Sequence, residues 1–175
     1  MRFAPDRAGS LDMSQCGPVL FYLSSYFGPD NKTGLASTTM NIDKYKHQHV
    51  AIFNSICQLK ELSHDGIPQN AADIAALVIK MSSVIKLHLS IEDKFLYPAL
   101  QGANNPRLAM LGKQYQHEMT HIAETYGDFA RKWNDAAQVA SNPEGFRNEA
   151  NRVLKILFER MQREDRDFYP MIEVA

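Results

Sequence analysis

His88 and Glu92 stand four residues apart in the run His88-Leu-Ser-Ile-Glu92. In a helix that spacing puts both side chains on one face, one turn apart. The flanking Leu87, Ile91, Phe95 and Leu96 make the face apolar. An ionised carboxylate on a core face is costly unless it is paired or bound to a metal. The competing reading is an ordinary surface His–Glu pair. His117 and His121 are also four apart. Two histidines at that spacing on one helix face can grip a single ion. The bland alternative makes one of them an ordinary core or surface histidine.

Two more candidates complete a constellation. His49 shares a stripe with Tyr45, Ile52 and Ile56, whereas His47 falls with Lys44 and Asn54. Two residues turn a helix by about 200°, so both cannot face inward, and His49 is the chosen ligand. Glu164 comes from an internal echo. The runs Glu92-Asp-Lys-Phe-Leu-Tyr-Pro98 and Glu164-Asp-Arg-Asp-Phe-Tyr-Pro170 carry Glu-Asp and Tyr-Pro at matching offsets, with an aromatic between. The echo puts Glu92 and Glu164 in equivalent places of two related halves. Asp165 is the second candidate there, and a solvated acid in a charged run is the plain reading. His64 sits in a polar turn and reads as a surface residue. Imidazole with carboxylate and no thiolate suits iron or manganese better than structural zinc.

These residues need four helices to hold them. The first is expected from about Asn41 to Leu62, with Ile42, Tyr45, His49, Ile52, Ile56 and Leu59 three and four apart. Gly66 and Pro68 break it. The second starts after Asn70 as N-cap and runs to about Leu100, with Leu77, Met81, Val84, Ile85, His88, Ile91, Glu92 and Phe95 inward. The third begins at Pro106 behind Asn105 and extends to about Ala140. Leu108, Leu111, Tyr115, His117, Thr120, His121, Tyr126 and Phe129 are placed on its stripe. The fourth begins at Pro143 behind Asn142 and runs to about Ile172, with Val153, Leu154, Leu157, Met161, Glu164 and Phe168 inward. Long helices joined by short turns give an all-α, antiparallel up-down-up-down four-helix bundle over residues 39–175. Residues 1–38, rich in Gly and Pro, form an N-terminal extension with one short helix near Val19–Tyr26, suited to docking or self-association.

Composition narrows the function. The 175 residues carry a net charge of -1, so there is no basic field for nucleic acid. The two cysteines, Cys16 and Cys57, form no CxxC pair, which fits a reducing cytoplasm. The first apolar run follows acidic residues, unlike a secretory signal, and no run of about 20 apolar residues is expected to span a membrane. No nucleophile motif or cofactor loop points to an enzyme.

The set His49, His88-x-x-x-Glu92, His117-x-x-x-His121 and Glu164, with the two Tyr-Pro endings, resembles the hemerythrin-like, or HHE cation-binding, domains. The resemblance covers about residues 41–172. It implies a non-haem di-iron centre bridged by Glu92 and Glu164, with His49 and His88 on one iron and His117 and His121 on the other. It also implies a small diatomic ligand, dioxygen or nitric oxide, and a carrier or sensor of ligand or redox state. One departure stands out. Where the family carries a histidine four residues before the glutamate, this chain has Arg160. A guanidinium stays protonated and cannot ligate a cation. Either water, Glu159 or Asp165 fills the second iron's shell, or Arg160 points outward, pairs with Glu164 and weakens or abolishes one metal position. The alternative function is a metal-poor helical bundle acting as an interaction module.

Overall fold

The computed structural model describes residues 42–102 and 105–173. The extension over residues 1–38, with its expected short helix, lies outside the described residues. Helix α1 spans Asp43–His64. Helix α2 spans Ala71–Gln101. Helix α3 spans Pro106–Lys132, and the short α4 spans Ala136–Ser141. Helix α5 covers residues 143–173 and is continuous through Pro143–Arg163, Glu164–Phe168 and Tyr169–Glu173.

The turns follow from their residues. Asn105 and Asn142 cap α3 and α5 by accepting from the backbone N–H of Leu108 and Gly145. Pro occupies the first helical position of both. Asn70 does not cap α2. Its amide instead donates to the carbonyls of Leu62 and Gly66 and ties the α1–α2 turn together. The third helix stops eight residues early. Asp135 caps a new helix by accepting from Gln138 N–H, and Trp133 turns inward to full burial. Its indole N–H donates to Glu149 on α5. The break lets Val139 of α4 bury itself against the core.

Helices α2 and α5 share a device. Each contains one wide π-helical turn, Glu92–Leu96 in α2 and Glu164–Phe168 in α5. Both turns begin at the echoed glutamate and close with a tyrosine N–H donating to its carbonyl. Pro98 and Pro170 follow directly. A proline lacks an N–H and crowds the carbonyl four residues back, and the wider turn relieves that crowding. The extra residue shifts the inward phase. Phe95, expected inside, is exposed, and Leu96 takes the buried position.

The helices antiparallel each other in chain order. A smaller cluster joins Tyr45 near the start of α1, Leu96 and Tyr97 at the end of α2, Tyr115 early in α3 and Phe168 at the end of α5. The larger cluster joins Ile56, Val78, Phe129, Trp133, Phe146 and Leu157 toward the other end. Helix α2 is long and apolar enough by length and composition to cross a bilayer, although Asp73, Lys80 and Lys86 interrupt its apolar run. Its apolarity has a local cause: it packs against α1, α3 and α4, so it has more than one face to cover.

Candidate metal centre

Between the two apolar clusters lies a buried polar layer. Stepping by three and four along α1 places His49 between Tyr45 and Ile52. His88 and Glu92 follow Ile85 on α2, and Arg160, Glu164 and Asp165 lie on α5. His49, Glu92, Arg160 and Glu164 are 0% exposed and His88 1%.

Three ligand atoms converge. His49 Nε2 lies 3.2 Å from His88 Nε2 and 3.3 Å from Glu164 Oε2. One ligand atom from each of His49, His88 and Glu164 falls within 4.8 Å of the others. Glu164 Oε2 is buried and makes no hydrogen bond. Buried polar atoms are rarely left so, and an orphan facing two imidazoles is what a cation would satisfy. The outer nitrogens are already held. His49 Nδ1 is 2.8 Å from Asp165 Oδ1, and His88 Nδ1 is 3.1 Å from Gln48 Oε1. Donating Nδ1–H outward leaves Nε2 of each ring free to ligate. The buried His/His/Glu cluster is therefore able to chelate a metal ion.

Glu92 stands beside this triad, with Oε2 3.6 Å from His88 Nε2. Tyr97 donates to Oε2 at 3.0 Å and Tyr169 to Oε1 at 2.9 Å. The π turn is what lets Tyr97, five residues on, reach back to Glu92. Burial, then the Glu164 charge, pushes the Glu92 carboxyl up. Burial likewise raises both phenols, so they remain donors. Burial would also raise Glu164, but His49 and Arg160 overcome it and hold that carboxyl low. Burial opposes a charge on His49, yet Asp165 and Glu164 hold its pKa up at about 10. Burial and the His49 charge push His88 down to about 3.

Arg160 does not point outward. Its Nε donates to Glu164 Oε1 at 2.7 Å. Its other nitrogens donate to Glu118 Oε2 at 3.1 Å and the Tyr115 carbonyl at 3.0 Å, both on α3. The guanidinium also stacks on the Tyr115 ring, 4.2 Å from its centroid.

The sequence expectations fare unevenly. His49, His88, Glu92 and Glu164 come together. His47 and His64 are exposed, as read. His117, Thr120 and His121 are exposed too, and the two histidines do not join the cluster. The reason is register. From Tyr115 the inward path is Met119, Ile122, Tyr126 and Phe129. His117 is two residues from both Tyr115 and Met119, about 200° around the helix from either. Sequence reasoning missed Gln48, Tyr97 and Tyr169, and offered Asp165 as a ligand rather than as the acceptor that orients His49. The tyrosines and Asp165 lie in the echo, which was their available signal; Gln48 had none.

Residues 40–172 match the family model described as the hemerythrin HHE cation binding domain. No curated protein matches the chain, and no solved structure does. A matched span covering most of the chain, with buried histidines and glutamates at its centre, settles the lineage: the chain belongs to the hemerythrin HHE cation-binding family.

Proposed function

We propose that the chain is a non-haem iron protein that binds or senses a small diatomic ligand, dioxygen or nitric oxide, or its own redox state. The observation that carries this reading is the convergence of His49 Nε2, His88 Nε2 and the orphaned Glu164 Oε2. Two imidazoles and one carboxylate, with positions left open, form a donor set suited to Fe(II). When bound, the ion supplies redox chemistry and open coordination positions for a small ligand. The chain supplies the rest. Asp165 and Gln48 orient the rings. Tyr97 and Tyr169 hold Glu92 within reach as a fourth ligand. The apolar clusters on both sides keep bulk water out.

A cavity of about 30 Å³ is lined by Leu89, Asp93, Tyr97, Met119, Thr120 and Ala123. It is large enough for about one water-sized molecule, and its wall includes Tyr97, the donor to Glu92. Loading with Fe(II) without air and then admitting oxygen is the test. New visible absorption is expected, and failure to retain iron after reconstitution would remove the idea.

The burial of Arg160 beside Glu164 favours one second reading, a metal-poor bundle serving as an interaction module. A ligand bound only by the folded state must raise its stability. If the metal-free protein melts no lower than the iron-loaded one, this second reading takes precedence.

A further inference from the structure

We propose that Arg160 is a resident cation that takes the place of a second metal ion and limits the site to one. The inference rests on the metal reading above and is carried by the placement of this one side chain.

A fully buried guanidinium is unusual and needs compensation. Arg160 finds it in Glu164 Oε1, which it holds at 2.7 Å. That bond divides the carboxylate. Oε1 is committed to the guanidinium, and Oε2 alone is left facing His49 and His88. Glu164 would then offer a metal ion Oε2, while the guanidinium competes for the Oε1 that a bridge through both oxygens would need. The same guanidinium reaches across to Tyr115 and Glu118 and so fills the space between Glu164 and α3. That is the side from which α3 would have to offer ligands, and its histidines face solvent instead.

Charge gives the same answer. In the metal-binding state the imidazoles are neutral and the carboxylates ionised. Glu92, Glu164 and Asp165 then supply three negative charges to the layer. Arg160 and one divalent ion balance them. Glu118, the other acid on Arg160, is matched by Arg163 at 3.2 Å. A second divalent ion would leave two positive charges unbalanced in a buried layer, which low dielectric penalises heavily.

The test uses the full chain, loaded with Fe(II) without air, in the parent and in Arg160→Gln and Arg160→Lys. Bound iron per chain and the melting temperature with and without iron are measured. The parent is expected to hold one iron. Arg160→Gln leaves Glu164 dependent on the ion, so its metal-free Tm should fall by about 10 °C and its gain on iron loading should exceed the parent's. Arg160→Lys keeps the charge and should fall between them. Should Arg160→Gln fail to fold without iron, the double variant Arg160→Gln/Glu164→Gln should fold metal-free. A double variant that also fails to fold counts against neutralisation as the residue's role. Two irons in the parent overturn this inference and leave the metal reading standing. An Arg160→Gln with the parent's metal-free Tm and the parent's gain also overturns it. No iron in the parent overturns the metal reading and this inference with it.

Discussion

Glu92 on α2 and Glu164 on α5 open the same sequence echo, begin matching π turns and are equally buried, yet their surroundings drive them in opposite directions. Glu92 faces two phenol hydroxyls, and burial with the charge of Glu164 pushes its carboxyl up. Glu164 faces the Arg160 guanidinium and His49, and these cations overcome burial and hold it down. The backbone device is shared; the residue one turn earlier is His88 in one helix and Arg160 in the other. One carboxylate is thereby committed to its charge, while the other gains charge most readily when a metal arrives. Two helices with matching π turns thus share a geometry and differ in electrostatics through the residue one turn earlier.

The largest expected contrast is in metal-free stability. Glu164→Gln strands a buried guanidinium and should cost about 3–5 kcal/mol. Glu92→Gln keeps an acceptor oxygen for a tyrosine and should cost about 1 kcal/mol. Chemical denaturation of both variants measures the difference, and equal losses would break the comparison.

The neighbouring aspartates come next. Asp165 is buried against His49, whereas its echo partner Asp93 is exposed. Asp165→Asn should weaken metal binding by about 10–100-fold, because a neutral amide holds the Nδ1–H of His49 and supports its ligating nitrogen less than a carboxylate does. Asp93→Asn should leave it unchanged. Competition with a chelator reads both. Smaller again, Tyr97→Phe and Tyr169→Phe should each lose about 1 kcal/mol of metal-free stability, since each removes one donor from Glu92.

Much of this was legible in the sequence, and the exceptions have physical causes. The faces of α1 and α5 follow the three-and-four spacing throughout, from Ile42 to Leu59 and from Val153 to Phe168. The choice of His49 over His47 needed only the turn angle of a helix. Phe95 failed because a π turn changes the period, and nothing in residue-by-residue spacing announces one except the proline that follows. His117 and His121 lie off the buried face because the four-residue spacing of a pair fixes its common face but not which way that face points: Met119, between them, and Ile122 are the buried residues. The end of α3 failed because Asp135, a capping residue, reads as any polar residue until Trp133 is known to be buried. Arg160 was visible as a departure, but only packing shows that its charge is spent on Glu164.

The smallest expected effect concerns access rather than stability. Ala123→Leu would narrow the cavity beside Tyr97. It should slow ligand arrival, read by stopped-flow absorption, with iron content unchanged. An unaltered rate would show that this cavity is not on the ligand's path.

Iron content per chain after anaerobic reconstitution, measured side by side in the parent, His49→Ala and His88→Ala, tests the metal centre most directly. The expected result is about one iron in the parent and none retained in either variant, because each loses one of only two buried imidazoles. A parent that retains no iron, or variants that keep the parent's full complement, would contradict it.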